Sequence, residues 1–225
     1  MKPLISVVIP TFNEEKNIGI LLERIKEKGL DVIVVDDGSE DKTYEECLKR
    51  KVTVIRNSIN RGKGFSLRKG FKYAIERGYE IIITMDADGQ HDPQELDKFI
   101  EKFNATKADL IIGNRMQNPE NMPFIRKVTN IVMSLVISAI VGRKIEDSQC
   151  GYRLIKADTL KKVKLRSIHY EIESELIFKI ALIGGKIEQV PIESIYRREV
   201  SKIDPFKDTL RFMKLLFRYF TRKNE

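Results

Sequence analysis

The first half of the chain alternates between two kinds of segment. Short, unbroken apolar runs rich in Val and Ile lie at residues 4–9, 32–35, 52–55, 81–84 and 110–112. Longer polar stretches with helical spacing separate them; in the first, Ile18, Leu21, Leu22 and Ile25 stand at i, i+3, i+4 and i+7. Apolar runs without alternation read as strands buried on both faces, and strands separated by helices pair in parallel. The pattern therefore predicts an α/β domain with a mostly parallel central sheet flanked by helices. Asp92-Pro93-Gln94-Glu95 marks a helix start, with Asp92 as the cap, Pro93 in the first helical position and an acid three residues after the cap.

Beyond residue 114 the pattern changes. A polar loop, NRMQNPENMP, leads into a long apolar segment at 128–141, and a second loop, GRKIEDSQCGYR, follows it. The spacing then predicts a helix over 171–182, a strand over 187–192 and a helix over 206–222. No repeat or low-complexity linker divides the chain, so 1–225 reads as one domain.

Two of these segments have an unusual face. Arg126, Asn130, Ser134 and Ser138 form a polar stripe along the apolar segment, which reads either as a buried packing helix or as a helix lying in a membrane interface. In the C-terminal helix Lys207, Arg211, Lys214, Arg218 and Arg222 share one face and Phe and Leu fill the other. A basic amphipathic helix of this kind points to a membrane surface, with packing onto the domain as the competing account. No run reaches the roughly 20 apolar residues of a membrane-spanning helix. With no leader pattern visible, the expected location is cytoplasmic and peripheral at the cytoplasmic face of the membrane.

The net charge of +8 suits anionic lipid, phosphorylated ligands or nucleic acid. The absence of Trp, of zinc-finger spacing and of an RNA-stacking pattern argues against nucleic acid. Cys47 and Cys150 form no CxxC pair and read as reduced thiols.

The chemistry concentrates at strand ends. The run at 81–84 leads into Met85-Asp86-Ala87-Asp88-Gly89-Gln90-His91, two carboxylates one residue apart where open α/β sheets bind their ligands. Mg²⁺ and Mn²⁺ take oxygen ligands and bridge carboxylates to phosphates, so Asp86 and Asp88 are candidate metal ligands; a solvated acidic turn is the plain alternative. The first run ends in Pro10-Thr11-Phe12-Asn13-Glu14-Glu15 and the second in Asp36-Asp37-Gly38-Ser39, with Ser39 a possible helix cap. The first strand lacks the glycine-rich turn of a dinucleotide fold, and no Walker A motif is present.

In their order, VVIPTFNEEKNI, VVDDGSEDKT, MDADGQHDP, GNRM and DSQCGYRLI resemble the inverting glycosyltransferase family two of GT-A fold, over roughly residues 5–155. The resemblance is to its polyprenyl-phosphate branch, which includes dolichyl-phosphate mannose synthase. It implies a donor half at 1–114, an acceptor part at 115–203 and an interface helix at 204–225. It implies that Pro10, Phe12, Asn13 and Glu14 line a nucleoside pocket, that Asp36 and Ser39 contact base and ribose, and that Asp86, Asp88 and Gln90 surround Mg²⁺ or Mn²⁺ on the diphosphate. His91 matches the motif, with a supporting hydrogen bond as its expected role. Arg115, Arg126 and Arg153 would hold an acceptor phosphate, bidentate guanidinium recognition being the reason for the residue type. Arg198, Ser201 and Lys202 loosely match a diphosphate element that lacks its usual glycine.

The implied activity moves a hexose from a nucleotide-sugar, GDP-mannose or UDP-glucose in type, onto a polyprenyl or dolichyl phosphate. A hydroxyl acceptor would need a base, for which Asp147 is the first candidate. A catalytically silent nucleotide- or membrane-binding module and a nucleotidyltransferase are weaker alternatives. Relatives in this branch often carry membrane-spanning helices, so a separate membrane-protein partner is a further expectation.

Overall fold

The computed structural model describes residues 3–119, 122–193, 195 and 205–221. Seven strands form one sheet: β1 (Ile5–Thr11), β2 (Asp31–Asp36), β3 (Thr53–Arg56), β4 (Ile81–Thr84), β5 (Leu110–Asn114), β6 (Arg153–Lys156) and β7 (Ile187–Pro191), in the order β3-β2-β1-β4-β6-β5-β7. All neighbours pair in parallel except β6, which runs antiparallel to both β4 and β5. The helices are α1 (Ile18–Lys26), α2 (Thr43–Lys49), α3 (Lys63–Glu76), α4 (Leu96–Thr106), α5 (Phe124–Val141), α6 (Ala157–Lys162), α7 (Ile172–Leu182) and α8 (Pro205–Thr221).

Each apolar run identified in the sequence becomes a strand; those of β1, β2, β4 and β5 are removed from water on both faces, whereas β3 lies at the sheet edge, half-buried to exposed. Val7, Val8, Ile9, Val34, Ile82, Ile83, Ile111 and Ile112 are all fully buried. Register then brings the chemistry together. Thr11 lies opposite Asp36, so the loops after β1 and β2 leave the sheet side by side. The reversed β6 pairs Thr84 with Arg153, so its entry loop meets the exit loop of β4 on the same rim.

The apolar pattern does not announce β6. Its four residues RLIK begin and end with a cation, and Arg153 can lie buried in it because backbone carbonyls of Cys150, Glu173 and Ser148 accept its hydrogen bonds. Ser39 does not cap a helix as expected. Helix α2 starts at Thr43, whose N–H donates to Asp41 Oδ1 at 2.9 Å, while Ser39 Oγ accepts from Asn13 N at 3.0 Å. Asp92 does cap, accepting from Gln94 N at 2.9 Å ahead of a 3₁₀ turn that runs into α4.

Helix α5 is inverted relative to a helix on a water-facing surface. Its buried positions are Asn130, Ser134 and Ile137, while Phe124, Ile125, Val132 and Leu135 are 79, 73, 54 and 65% exposed. The polar stripe faces inward, where Asn130 donates to Asp147 Oδ1, and the Ser134 and Ser138 hydroxyls bond to the segment 145–148. With 18 residues and a mean hydropathy of 1.7, α5 is long and apolar enough to cross a membrane by length and composition, which the sequence reading did not expect. Helix α8 divides its apolar residues between two edges. Phe212 and Leu215 are buried against the core, whereas Leu210, Met213, Phe217 and Phe220 are exposed.

Candidate active site

The acidic loop is built on buried supports. Met85, directly after β4, is buried in the core, and the Asp86 N–H donates to His91 Nδ1 at 3.0 Å. His91 is buried beside Tyr152, with ring centroids 5.1 Å apart, and Tyr152 stacks on Phe99 of α4. Burial pushes the His91 imidazole down to about 4, so it is neutral at physiological pH and its Nδ1 accepts. His91 therefore makes the supporting hydrogen bond that the sequence led us to expect.

Two carboxylates project from this loop into a cavity of about 680 Å³, alongside Gln90. Asp88 Oδ1 accepts from Gln90 N at 3.0 Å. Burial, and next the negative charge of Asp86, push Asp88 up to about 6. Burial acts on Asp86 in the same direction, but the adjacent Lys63 ammonium together with His91 and Arg115 outweighs it and holds Asp86 below the ordinary carboxylate range. Among the described residues no three His, Cys, Asp or Glu side chains form a metal cage. The chain offers two hard oxygen donors at one point, one of them short of counter-charge. That set suits Mg²⁺ or Mn²⁺ with its remaining positions filled by phosphate oxygens and water.

Lys63 is a site residue that the sequence reading missed. It opens α3 directly after Gly62, whose φ is +96° and whose Cβ, if it had one, would lie 2.3 Å from Ile168 O. That close approach docks the turn on the loop before α7 and aims Lys63 into the cavity. Its Nζ lies 2.5 Å from Asp86 Oδ1 and 2.6 Å from Glu173 Oε1. Glu173, in the first turn of α7, was also missed. Gly62-Lys63-Gly64 is too short for a dinucleotide motif, and the usable signal is a lysine at a helix start beyond a strand end.

The other expected residues separate into cleft walls and supports. Pro10, Phe12 and Glu14 line the cavity, as does Asp37, which also holds the turn at 61–62 by accepting from Arg61 N and Gly62 N. Asn13 and Ser39 are joined to each other and tie the first two loops together; Asn13 also accepts from Glu40 N through Oδ1. Asp36 is fully buried, with Oδ1 accepting from Ser39 N and Oδ2 3.0 Å from Arg56 Nε, so in this structure it braces the loop instead of facing the cavity.

Arg115 and Arg126 line the same cavity, to which α5 and α8 bring Ile125, Met133 and Phe212. Arg153 does not reach it. This side chain is 1% exposed, is not among the residues lining the cavity, and turns all three of its nitrogens to the carbonyls of Cys150, Glu173 and Ser148 at 2.8, 2.5 and 2.8 Å. The sequence cannot distinguish an arginine that ties loops from one that binds anions. Asp147 is likewise displaced from the role of base. It is wholly buried and bonded to Arg115 and Asn130; burial raises it, and Arg115 more than reverses that. Arg198, Ser201 and Lys202 lie outside the described residues.

The model of "Glycosyl transferase family 2" matches residues 6–169 of the chain. The UDP-N-acetylglucosamine–dolichyl-phosphate N-acetylglucosaminyltransferase of Methanococcus voltae is 35% identical over 216 residues, covering 86% of this chain and 86% of the relative. The undecaprenyl-phosphate mannosyltransferase of Micrococcus luteus is 34% identical over 203 residues, covering 84% and 83%. Among solved structures, the glucosyl-3-phosphoglycerate synthase from Mycobacterium tuberculosis, in complex with Mn²⁺, uridine diphosphate and glucosyl-3-phosphoglycerate, superposes with a TM-score of 0.75. It is 16% identical, with 98% of this chain and 80% of that one covered, a likeness of GT-A fold.

Proposed function

The chain belongs to glycosyl transferase family 2 and is a glycosyltransferase, and from that premise we propose that it moves a hexose from a nucleotide-sugar onto a polyprenyl phosphate at a membrane surface, with inversion and with Mg²⁺ or Mn²⁺ as cofactor. The observation that carries this reading is the inverted α5. One edge of this helix supplies Ile125, Arg126 and Met133 to the cavity of Asp86 and Asp88, and another presents Phe124, Val132 and Leu135 to the surroundings. An acceptor with an anionic head and an apolar tail fits a site so built. The two relatives named for dolichyl-phosphate and undecaprenyl-phosphate transfer support the same acceptor class.

On this reading Pro10, Phe12 and Asp37 flank the nucleoside, and Asp86, Asp88 and Gln90 face the diphosphate. A divalent ion held by Asp86 and Asp88 would neutralise charge gathering on the departing diphosphate. Arg115 and Arg126 orient the acceptor phosphate by charge-assisted hydrogen bonds on the face away from the leaving group. A phosphate oxygen is already anionic at neutral pH and needs no strong base. This agrees with Asp147, the acid first in line to serve a hydroxyl acceptor, being committed to Arg115. Donor choice among GDP- and UDP-linked sugars belongs to the base pocket around Pro10 and Phe12.

Incubation with a panel of nucleotide-sugars, Mn²⁺ and a short polyprenyl phosphate should give a glycolipid detectable by mass. Asp86→Ala and Asp88→Ala should lower the rate by at least about 100-fold with the fold retained. Transfer to free glycans but not to the lipid would favour a hydroxyl acceptor, and undiminished transfer by both variants would remove the metal assignment.

A further inference from the structure

Lys63 stands where its charge opposes the cofactor. Its Nζ is 2.5 Å from Asp86 Oδ1, and Asp86 is one of the two carboxylates assigned to the cation. The second anchor, Glu173 Oε1, lies 2.6 Å from the same Nζ and comes from another element, α7. A Cβ on Gly151 would fall 2.8 Å from Lys63 Nζ and 2.6 Å from Asp86 Oδ2, so backbone closes this pair in from a third direction. Lys63 and Glu173 side chains are 13 and 5% exposed, too little for water to screen their charges well. A divalent ion on Asp86 would therefore sit close to a poorly screened ammonium. Unless that ammonium withdraws, the two cations repel across a single carboxylate.

Glu173 gives the ammonium somewhere to go. It is buried, it points at Lys63, and its backbone carbonyl is fixed by Arg153 Nη1, so it holds its place. We infer that Lys63 is a resident counter-cation which occupies Asp86 before the cofactor arrives, yields that carboxylate to the divalent ion and is retained by Glu173. Lys63 and Glu173 are thus positioning residues that set cation affinity in opposite directions. The inference rests on the assignment of the cation to Asp86 and Asp88. It explains why one cavity contains a buried Lys–Glu pair beside an acidic motif, an arrangement that gains little stability for its desolvation.

The test measures Mn²⁺ binding to the full chain without substrate, from the loss of the free-ion electron paramagnetic resonance signal, with thermal melts as a check on folding. Lys63→Met should tighten Mn²⁺ binding about tenfold or more by removing the competitor. Glu173→Gln should weaken it several-fold by leaving the ammonium to Asp86 alone. The double variant Lys63→Met/Glu173→Gln, which strands neither charge of the pair, should also bind more tightly than the parent and serves if Lys63→Met folds poorly. A merely structural pair predicts lower melting temperatures with unchanged or uniformly weaker binding, and that result overturns the inference. Asp88→Asn separates the two levels. If it leaves Mn²⁺ binding intact, the cation assignment itself fails; if it abolishes binding while loss of Lys63 does not tighten it, only the role of Lys63 fails.

Discussion

Arg115 is held by Asp147 through three hydrogen bonds: its backbone N–H at 3.0 Å, its Nε at 2.7 Å and one Nη at 2.9 Å. The same carboxylate accepts from Asn130 of α5 at 2.7 Å, so one buried acid joins the cleft arginine to the helix with the exposed apolar face. Breaking a buried pair by removing one partner costs about 3–5 kcal/mol, because the other charge is stranded. Asp147→Asn should therefore lower unfolding stability by about 3 kcal/mol in denaturant titration, and Arg115→Met/Asp147→Asn should recover much of that loss. Transfer should stay low in both. An equal stability loss in the double variant would show that Arg115 is not the partner that matters.

The pH dependence of the site follows from two groups shifted in opposite senses. Asp88 is raised from 3.8 to about 6, so the stability it contributes is full below 3.8 and is lost as pH rises through about 6. His91 is lowered from 6.5 to about 4, so its contribution is present above 6.5 and is lost as pH falls through about 4. The two oppose each other over nearly the same window and leave the parent protein a shallow profile there. Asp88→Asn removes one side, and its melting temperature should drop more steeply than the parent's between pH 6.5 and 4. Mn²⁺ competes with the proton on Asp88, so the parent's apparent affinity should fall by up to about tenfold per pH unit below about 6. A flat affinity between pH 7 and 5 would contradict this assignment.

Gly151 is required by proximity. A methyl group there would stand 2.6 Å from Asp86 Oδ2 and 2.8 Å from Lys63 Nζ, inside van der Waals contact. Gly151→Ala should displace the Asp86 carboxylate and cut kcat at least about tenfold while the melting temperature changes little. Unimpaired turnover would mean that Asp86 tolerates the shift.

The apolar face of α5 should carry membrane attachment. Val132 and Leu135 are exposed and are not among the residues that line the cavity. Val132→Glu/Leu135→Glu should abolish co-sedimentation with anionic liposomes and leave transfer to a short, water-soluble prenyl phosphate within about twofold. Persistent liposome binding would assign attachment to α8, where Phe217 and Phe220 are exposed beside Arg218.

The sequence announced those parts of the fold whose cause is local. Strands β1, β2, β4 and β5 follow from unbroken apolar runs, and the turn into α4 follows from Asp92 and Pro93. Strand β6 was hidden because its support is long-range, the carbonyls that take up Arg153. In the site, Asp86 and Asp88 could be read from strand-end position alone, and the five motifs carried the family. The Lys63–Glu173 pair could not, since 110 residues separate its members and only the docking of Gly62 on the loop before α7 brings them together. Asp36, Asp147 and Arg153 share one error. A charged residue in a functional motif was assumed to face the ligand, whereas these three face inward and hold in place the residues that do.

Because β6 runs against its neighbours, the segment at 142–152 enters the sheet from the rim where the β4 loop leaves it. The stretch that fixes Arg115 and α5 thus enters beside the acidic loop, which it meets at Gly151, against Asp86, and at Tyr152, beside His91. On the function proposed here, changes in that stretch away from Gly151 and Tyr152 would alter the receiving molecule before they altered how the activated sugar is gripped. One scaffold can diversify into enzymes that share a donor chemistry and differ in what they decorate.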